Sequence, residues 1–213
     1  MATLKRPDLE HERALIRSGY ARIAGLDEAG RGAWAGPVCA AAVALPLDQP
    51  DLLHRLEGVR DSKTLTPLQR ERLFPVILKT AQAVGVGWGQ PSQVDALGVV
   101  AATRAAMASA LDALDGGVDA LLIDHLPLPD VQLPQDVFDK ADLHSLTVAA
   151  ASIVAKVERD RLMIQMDGEY PGYGFAQHKG YGTRAHREAL VRLGPTRLHR
   201  MSWQPLCELE RKE

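Results

Sequence analysis

The chain has 213 residues, 46% of them hydrophobic and 24% charged, a composition that excludes a disordered or fibrous protein and fits one large domain with or without an appendage. Its net charge of −2 argues, as a sum, against a nucleic-acid partner, but the sum hides 12 basic and 10 acidic groups in 1–80, 1 and 8 in 81–139, and 12 and 9 in 140–213. Cys39 and Cys207 are too few and too far apart for a disulfide framework or a cysteine metal pair, and no apolar run or leader pattern marks a membrane span or signal peptide, so a cytoplasmic protein is expected.

Residues 1–20 form a polar, helical lead. Residues 22–27 read as a buried strand running into the turn 28–32, and 38–45, closed by Pro46, as a second strand close enough to pair with it in a hairpin. Thr66-Pro67 opens a helix with a capping hydroxyl and a first-turn proline, and Pro75 is expected to kink or shorten it. A short glycine-bearing strand follows at 84–88, then an alanine-rich helix at 99–114 ended by Gly116 and Gly117. The buried strand 120–123 runs straight into Asp124. Pro127, Pro129 and Pro134 make 126–135 a loop or an irregular edge. Ser145 caps a long helix to Met166, with Ala149, Ala150, Ala151 and Ala155 permitting close packing. Residues 170–182, rich in glycine and aromatic or histidine rings, read as a functional loop, 184–193 as a short helix, and Pro195 onward as a basic tail packed by Trp203. Alternating strands and helices predict an α/β domain over 21–168, with a C-terminal helical extension over 169–213 packed on it.

In open α/β sheets, ligands gather outside the carboxyl ends of strands, so Asp27 and Glu28 on one strand and Asp124 on another converge if those strands are neighbours. Asp142, just ahead of the long helix, is a fourth candidate. Clustered carboxylates repel one another and raise their pKa values, and a divalent cation is the natural compensation. With no Cys/His grouping beside them the donors are hard oxygens, which favours Mg²⁺ or Mn²⁺ over Zn²⁺. Two such ions about 4 Å apart suit in-line phosphodiester hydrolysis. Asp160 competes with Asp142 for the fourth place. A straight helix from 145 to 160 spans about 22 Å, so the two acids cannot share one site; Asp142 is preferred, and Asp160 is expected to pair with Lys156 four positions earlier. A lone acid is as readily an ordinary surface group, but acids directly after a buried strand carry a desolvation cost that function explains.

A second set surrounds these acids. The backbone N–H groups of the turn Gly30-Arg31-Gly32 can bond phosphate or hydroxyl oxygens. Lys63 follows Asp61 and Ser62, Ser152 and Lys156 share a helix face, and Lys179 and Tyr181 sit in the glycine-rich loop. Each alone reads as a solvated charge or a loop contact; concentrated around carboxylates, they indicate a polyanion beside a metal site.

The segments 25–32 (GLDEAGRG), 35–37 (AGP), 61–63 (DSK) with Leu65, 122–124 (LID), 140–142 (KAD), 149–157 (AAASIVAKV) with Arg159 and Asp160, 173–175 (YGF), 178–183 (HKGYGT) and His199-Arg200 with Ser202 occur in this order. Over 21–205 the chain resembles ribonuclease HII, the type 2 ribonuclease H family of bacteria, and an ordered set this long is far more specific than any single motif. The resemblance implies an RNase H-like mixed sheet flanked by helices. It implies that Asp27, Glu28, Asp124 and Asp142 bind the catalytic metals, that Gly30, Arg31 and Gly32 read a 2′-hydroxyl, and that Tyr181 packs on the sugar beside the RNA–DNA junction. It implies an endoribonuclease that hydrolyses the RNA strand of RNA–DNA hybrids and cuts 5′ of single ribonucleotides embedded in duplex DNA, with two Mn²⁺ or Mg²⁺ ions, leaving 3′-hydroxyl and 5′-phosphate ends. Its partners are then those duplexes, with no membrane, and the chain is expected to be a monomer.

Several positions depart from the family pattern. Thr64 stands where a second lysine is common, Ala141 where glycine is usual and Trp203 where phenylalanine is common, while His125 and Leu143-His144 follow the third and fourth carboxylates. None removes a ligand; they bear on affinity and on metal preference, since imidazole near the ions would favour Mn²⁺ over Mg²⁺, although solvated loop histidines are the commoner reading of His125 and His144. A non-catalytic binder gains nothing from carboxylates aimed at phosphates, and the absence of a P-loop or kinase glycine loop argues against phosphotransfer from ATP.

Overall fold

The computed structural model describes residues 6–204, 206 and 207. Helix α1 (Glu10–Arg17) precedes a hairpin of β1 (Ile23–Ala29) and β2 (Val38–Ala44), and α2 (Leu52–Arg55) and α3 (Pro67–Thr80) lead to β3 (Ala83–Gly89). Helices α4 (Pro91–Leu97) and α5 (Val99–Asp112) carry the chain to β4 (Ala120–Asp124) and β5 (Gln135–Phe138), and α6 (Leu146–Glu169), α7 (Phe175–His178) and α8 (Arg184–Leu193) complete it. The strands lie in the order β3-β2-β1-β4-β5. The first three form an antiparallel meander, whereas β1 with β4 and β4 with β5 are parallel. A parallel pair needs a crossover, which α4 and α5 supply. The mixed sheet flanked by helices is therefore as expected.

Both faces of the sheet are buried under alanine-rich helices. On one, α6 packs Ala151, Ile153 and Ala155 over Ala41 and Val43, with Phe74 and Ile77 of α3 closing the side. On the other, α5 packs Ala106, Met107 and Ala110 over Ala40, Ala42 and Ile123. Along β3, a Cβ added at Gly85, Gly87 or Gly89 would come within 2.0, 2.0 and 2.6 Å of the carbonyl oxygens of Ala110, Ala106 and Ala102, so glycine at alternate positions lets α5 lie on the strand backbone. Truncating Ile153 or Met107 in such a core costs about 2–5 kcal/mol.

Three local features differ from expectation. Helix α3 opens on the expected Thr66 cap, but it does not end at Pro75 and runs to Thr80. Phe74, Ile77 and Thr80 are buried along it, and that burial outweighs the single backbone hydrogen bond a proline cannot donate. The proline-rich stretch ends in a strand, β5, starting at Gln135 directly after Pro134, a position that an edge strand tolerates. Strand β1 continues past Asp27 to Ala29, so both of its acids lie on the strand itself. Beyond α6, Tyr173, Phe175, Leu190 and Leu206 pack with Met163 and with Ala35 of the loop between β1 and β2. No helix among the described residues is long and apolar enough to cross a membrane.

Candidate active site

Leu26 of β1 lies opposite Ile123 of β4, so the next residues, Asp27 and Asp124, stand side by side where the parallel pairing of the two strands ends. The pleat places Asp27 on the face covered by α6 and Glu28 on the other. Asp142 sits in the 3-10 turn Ala141–Leu143 that delivers the chain to α6, and the N–H of Ala141 donates to Asp124 Oδ1 at 2.8 Å, tying that turn to the end of β4. Ser145 then caps α6, its hydroxyl accepting from Val148 N at 3.1 Å. Topology thus gathers acids from distant parts of the sequence.

Their electrostatics are those of a crowded, buried cluster. Burial pushes the Asp27 carboxyl well above the usual carboxylate range, and Glu28, Asp124 and Asp142 push it further. Glu28 is raised by burial, against the opposing pull of Arg31, whose Nη1 lies 3.5 Å from Glu28 Oε1. Asp142, raised to about 6, is shifted by burial and by the neighbouring carboxyl of Asp61, a fifth acid that sequence reasoning left out. Burial disfavours the charge on Lys63, but Asp27, Asp142, Asp61 and Asp124 outweigh it and raise this ammonium, whose Nζ stands 4.0 Å from Asp142 Oδ2.

Among the described residues no three His, Cys, Asp or Glu side chains form a ready-made metal cage. The four carboxylates are nevertheless coupled in one field, and Glu28 Oε2 is buried with no hydrogen-bond partner. An orphaned anionic oxygen beside repelling carboxylates, with only hard donors at hand, fits a divalent cation.

Beside the acids lies the turn that starts at Gly30, where φ is +87° and a Cβ would fall 1.7 Å from Arg159 Nε. Glycine is required there both by conformation and by contact. Two fully buried arginines hold this region through backbone carbonyls. Arg200 donates from Nη2 to Gly30 O at 2.8 Å, from Nη1 to Arg31 O at 2.8 Å, and from Nε and Nη2 to Gly36 O at 3.1 and 2.8 Å. Arg159 donates to Pro37 O at 2.9 Å, Ala35 O at 3.0 Å and Lys179 O at 2.9 Å. Arg159 therefore joins the loop after β1 to the loop that carries Tyr181. Trp34 and Ala35 reinforce the junction, donating to Gly180 O at 2.8 and 3.1 Å.

The other expected contacts fall around this junction. Tyr181 is partly exposed, with Lys156 Nζ 5.7 Å and Arg159 Cζ 5.4 Å from its ring centroid. Lys156 pairs with Asp160 at 2.6 Å, as expected, and Asp160 also meets Arg70 at 3.4 Å. Arg70 in turn donates to Ser62 O and Leu65 O at 2.8 and 2.6 Å, bracing the turn that carries Lys63. Ser152 lies buried beneath that turn, its hydroxyl 2.7 Å from Ser62 Oγ. Lys179 adopts a left-handed backbone, and its Nζ donates to Ala176 O. His125 faces Asp139 at 2.6 Å. Arg70, Arg159 and Arg200 carried no assigned role in the sequence reading; each stands among polar or charged neighbours that read as solvated surface.

A sequence model of the family described as Ribonuclease HII matches residues 24–206. The ribonuclease HII of Chloroflexus aurantiacus is 54% identical over 205 residues, 95% of each chain. The ribonuclease H2 from Pyrococcus horikoshii OT3 superposes with a TM-score of 0.75 at 26% identity, covering 90% of this chain and 98% of that one. The RNase HII of Archaeoglobus fulgidus, solved as a complex with PCNA, does so with a TM-score of 0.71 at 29% identity, covering 86% and 96%.

Proposed function

The chain belongs to the ribonuclease HII family, and on that premise we propose that it cuts 5′ of single ribonucleotides embedded in duplex DNA as well as within longer hybrids, as in the excision of misplaced ribonucleotides. As a ribonuclease H it is a hydrolase of the RNA strand of RNA–DNA hybrids. The observation that carries the finer reading is the junction of a coupled carboxylate cluster with the Gly30 turn, both buttressed from behind by buried arginines.

Asp27, Glu28, Asp124 and Asp142 are the residues to hold two divalent ions, Mn²⁺ or Mg²⁺. When bound, such ions activate a water and stabilise the leaving 3′ oxygen of an in-line displacement. The rest of the work belongs to the chain. Gly30, Arg31 and Gly32 offer backbone donors for the 2′-hydroxyl, the group that distinguishes RNA from DNA. Tyr181 supports the adjoining sugar, and Lys63, Lys156 and Lys179 supply positive charge for phosphates. Ser152 supports Lys63 through Ser62. The extension 169–213 holds the duplex alongside, its residues 205 and 208–213 lying outside the described residues. The held Gly30 backbone needs no reorganisation when substrate arrives.

Two duplexes test the reading, one with a single ribonucleotide and one with a continuous RNA strand, each incubated with the purified chain and Mg²⁺ or Mn²⁺. Nicking of both is expected, with a 3′-hydroxyl at each nick. Cleavage of the continuous hybrid alone, by protein of verified fold, would overturn the single-ribonucleotide assignment.

A further inference from the structure

Behind the Tyr181 loop lies a group of three histidines that the reaction does not use. His178, His186 and His199 are 9%, 0% and 2% exposed, and the first two rings stack at 4.4 Å. Their proton positions follow from partners of fixed chemistry. The N–H of Thr196 can only donate, and it reaches His199 Nδ1 at 2.9 Å, so the proton of that ring is on Nε2. His199 Nε2 faces His186 Nε2 at 3.1 Å, which must then accept. His186 therefore carries its proton on Nδ1, 3.0 Å from the carbonyl oxygen of Tyr181, an acceptor only. His178 is fixed likewise, with Nε2 donating to Tyr173 O at 2.8 Å and Nδ1 accepting from Gly180 N at 3.2 Å. These partners assign one proton to His186 and one to His199, each with a single place.

We propose that His199 and His186 form a positioning relay that fixes the main chain at Tyr181, and through it the placement of that ring against the sugar next to a ribonucleotide. The inference rests on the substrate-facing role given to Tyr181 above. The relay starts one residue before Arg200, the group that grips the Gly30 turn, and the N–H of Arg200 donates to Trp34 O at 2.8 Å. Two adjacent residues, His199 and Arg200, thus set the sugar-facing loop and the hydroxyl-reading turn in register with each other.

The surroundings suit a neutral relay. Phe175, Tyr173 and Trp34 pack against the rings, and the guanidinium of Arg187 lies over Trp34, 5.6 Å from its ring centroid. Burial holds both His186 and His199 down to about 4, with the neighbouring histidines adding to it. The rings stay uncharged at any pH where a nuclease of this kind would work.

The first test is long-range ¹H–¹⁵N NMR of the intact chain at pH 7.5. His186 is expected as the Nδ1–H tautomer and His199 as the Nε2–H tautomer; another tautomer or a charged ring at either position overturns the relay. The second is kinetic, on the duplex bearing one ribonucleotide. His186→Phe keeps the ring packing and removes both hydrogen bonds; it should lower kcat about tenfold with little change in KM, the size expected from losing the one that holds the Tyr181 carbonyl. His186→Asn, which can still donate to the Tyr181 carbonyl, should recover most of that loss, and His186→Phe should add nothing in a Tyr181→Ala background. If Tyr181→Ala cleaves normally, the role of Tyr181 fails and the tautomers alone judge the relay. If Tyr181→Ala is impaired while folded His186→Phe cleaves at the wild-type rate, the relay fails. Should His186→Phe not fold, the tautomers and the Asn variant decide.

Discussion

Buried His186 and His199 make the protein labile to acid in a way that can be worked out in advance. In the unfolded chain their pKa lies near 6.5, and in the fold near 4. Between those values the unfolded chain binds more protons, so stability rises with pH; the contribution is complete above about pH 6.5 and is lost as the pH falls toward about 4. At pH 4.5 a ring shifted this far has forfeited about 2–3 kcal/mol, a large share of a domain stability of about 5–15 kcal/mol. The carboxylates pull the other way. Asp142, raised to about 6, takes up its proton earlier in the fold than in the unfolded chain, so its contribution improves as the pH falls through that value. A single stability profile therefore mixes the two signs, and a difference separates them. Urea denaturation of the wild type and of His186→Phe, with divalent ions chelated, leaves the carboxylates common to both. The variant, lacking two hydrogen bonds, should be the less stable at pH 7.5 and should gain about 2–3 kcal/mol on the wild type by pH 4.5. A gap that stays constant with pH would refute the assignment of a buried neutral His186.

Asp27→Asn and Asp124→Asn should each abolish cleavage while leaving hybrid binding intact in a gel-shift assay; substantial turnover in either would contradict the metal assignment. Because burial and three neighbouring acids all oppose the charge on Asp27, Asp27→Asn should also raise Tm at neutral pH without divalent ions, and a lowered Tm would contradict that electrostatic account. Mn²⁺ at a hundred times its Kd should stabilise the wild type by about 2.7 kcal/mol in a thermal melt and the Asp27→Asn protein by clearly less. Gly30→Ala meets a left-handed backbone and Arg159 at once, and should cost about 1–3 kcal/mol in urea together with most of the cleavage activity; a wild-type midpoint would show that the turn relaxes freely.

What the sequence disclosed was whatever depends on local pattern. The apolar run before Asp27, the run before Asp124 and the Ser145 cap each announce themselves over a few residues, and with them the places where acids emerge from strand ends. Pro75 does not shorten α3, because local propensity is only a weak prior once Phe74 and Ile77 are buried. The short β5 strand escapes because Pro127, Pro129 and Pro134 dominate its surroundings. Asp61 looks like an ordinary turn residue until the fold brings it against Asp142. Arg159 and Arg200 are harder still. Their value lies in carbonyls supplied by the loop after β1, far away in sequence, and no spacing rule announces a partner that is main chain rather than side chain.

Helix α6 has one more consequence. It is 24 residues long, ~36 Å from end to end. Asp142 stands at its entrance, Ser152 underpins the Lys63 turn from its middle, and Arg159 farther along clamps both the loop after β1 and the Tyr181 loop. On the proposed assignment, the cutting place and the reading place are thus mounted on a single rod, and such a rod behaves as a ruler. Damage elsewhere in the protein changes how often the scale is applied but does not redraw its divisions. Variants weakened in the sheet or in α3 should cut more slowly, yet at the same phosphodiester bond.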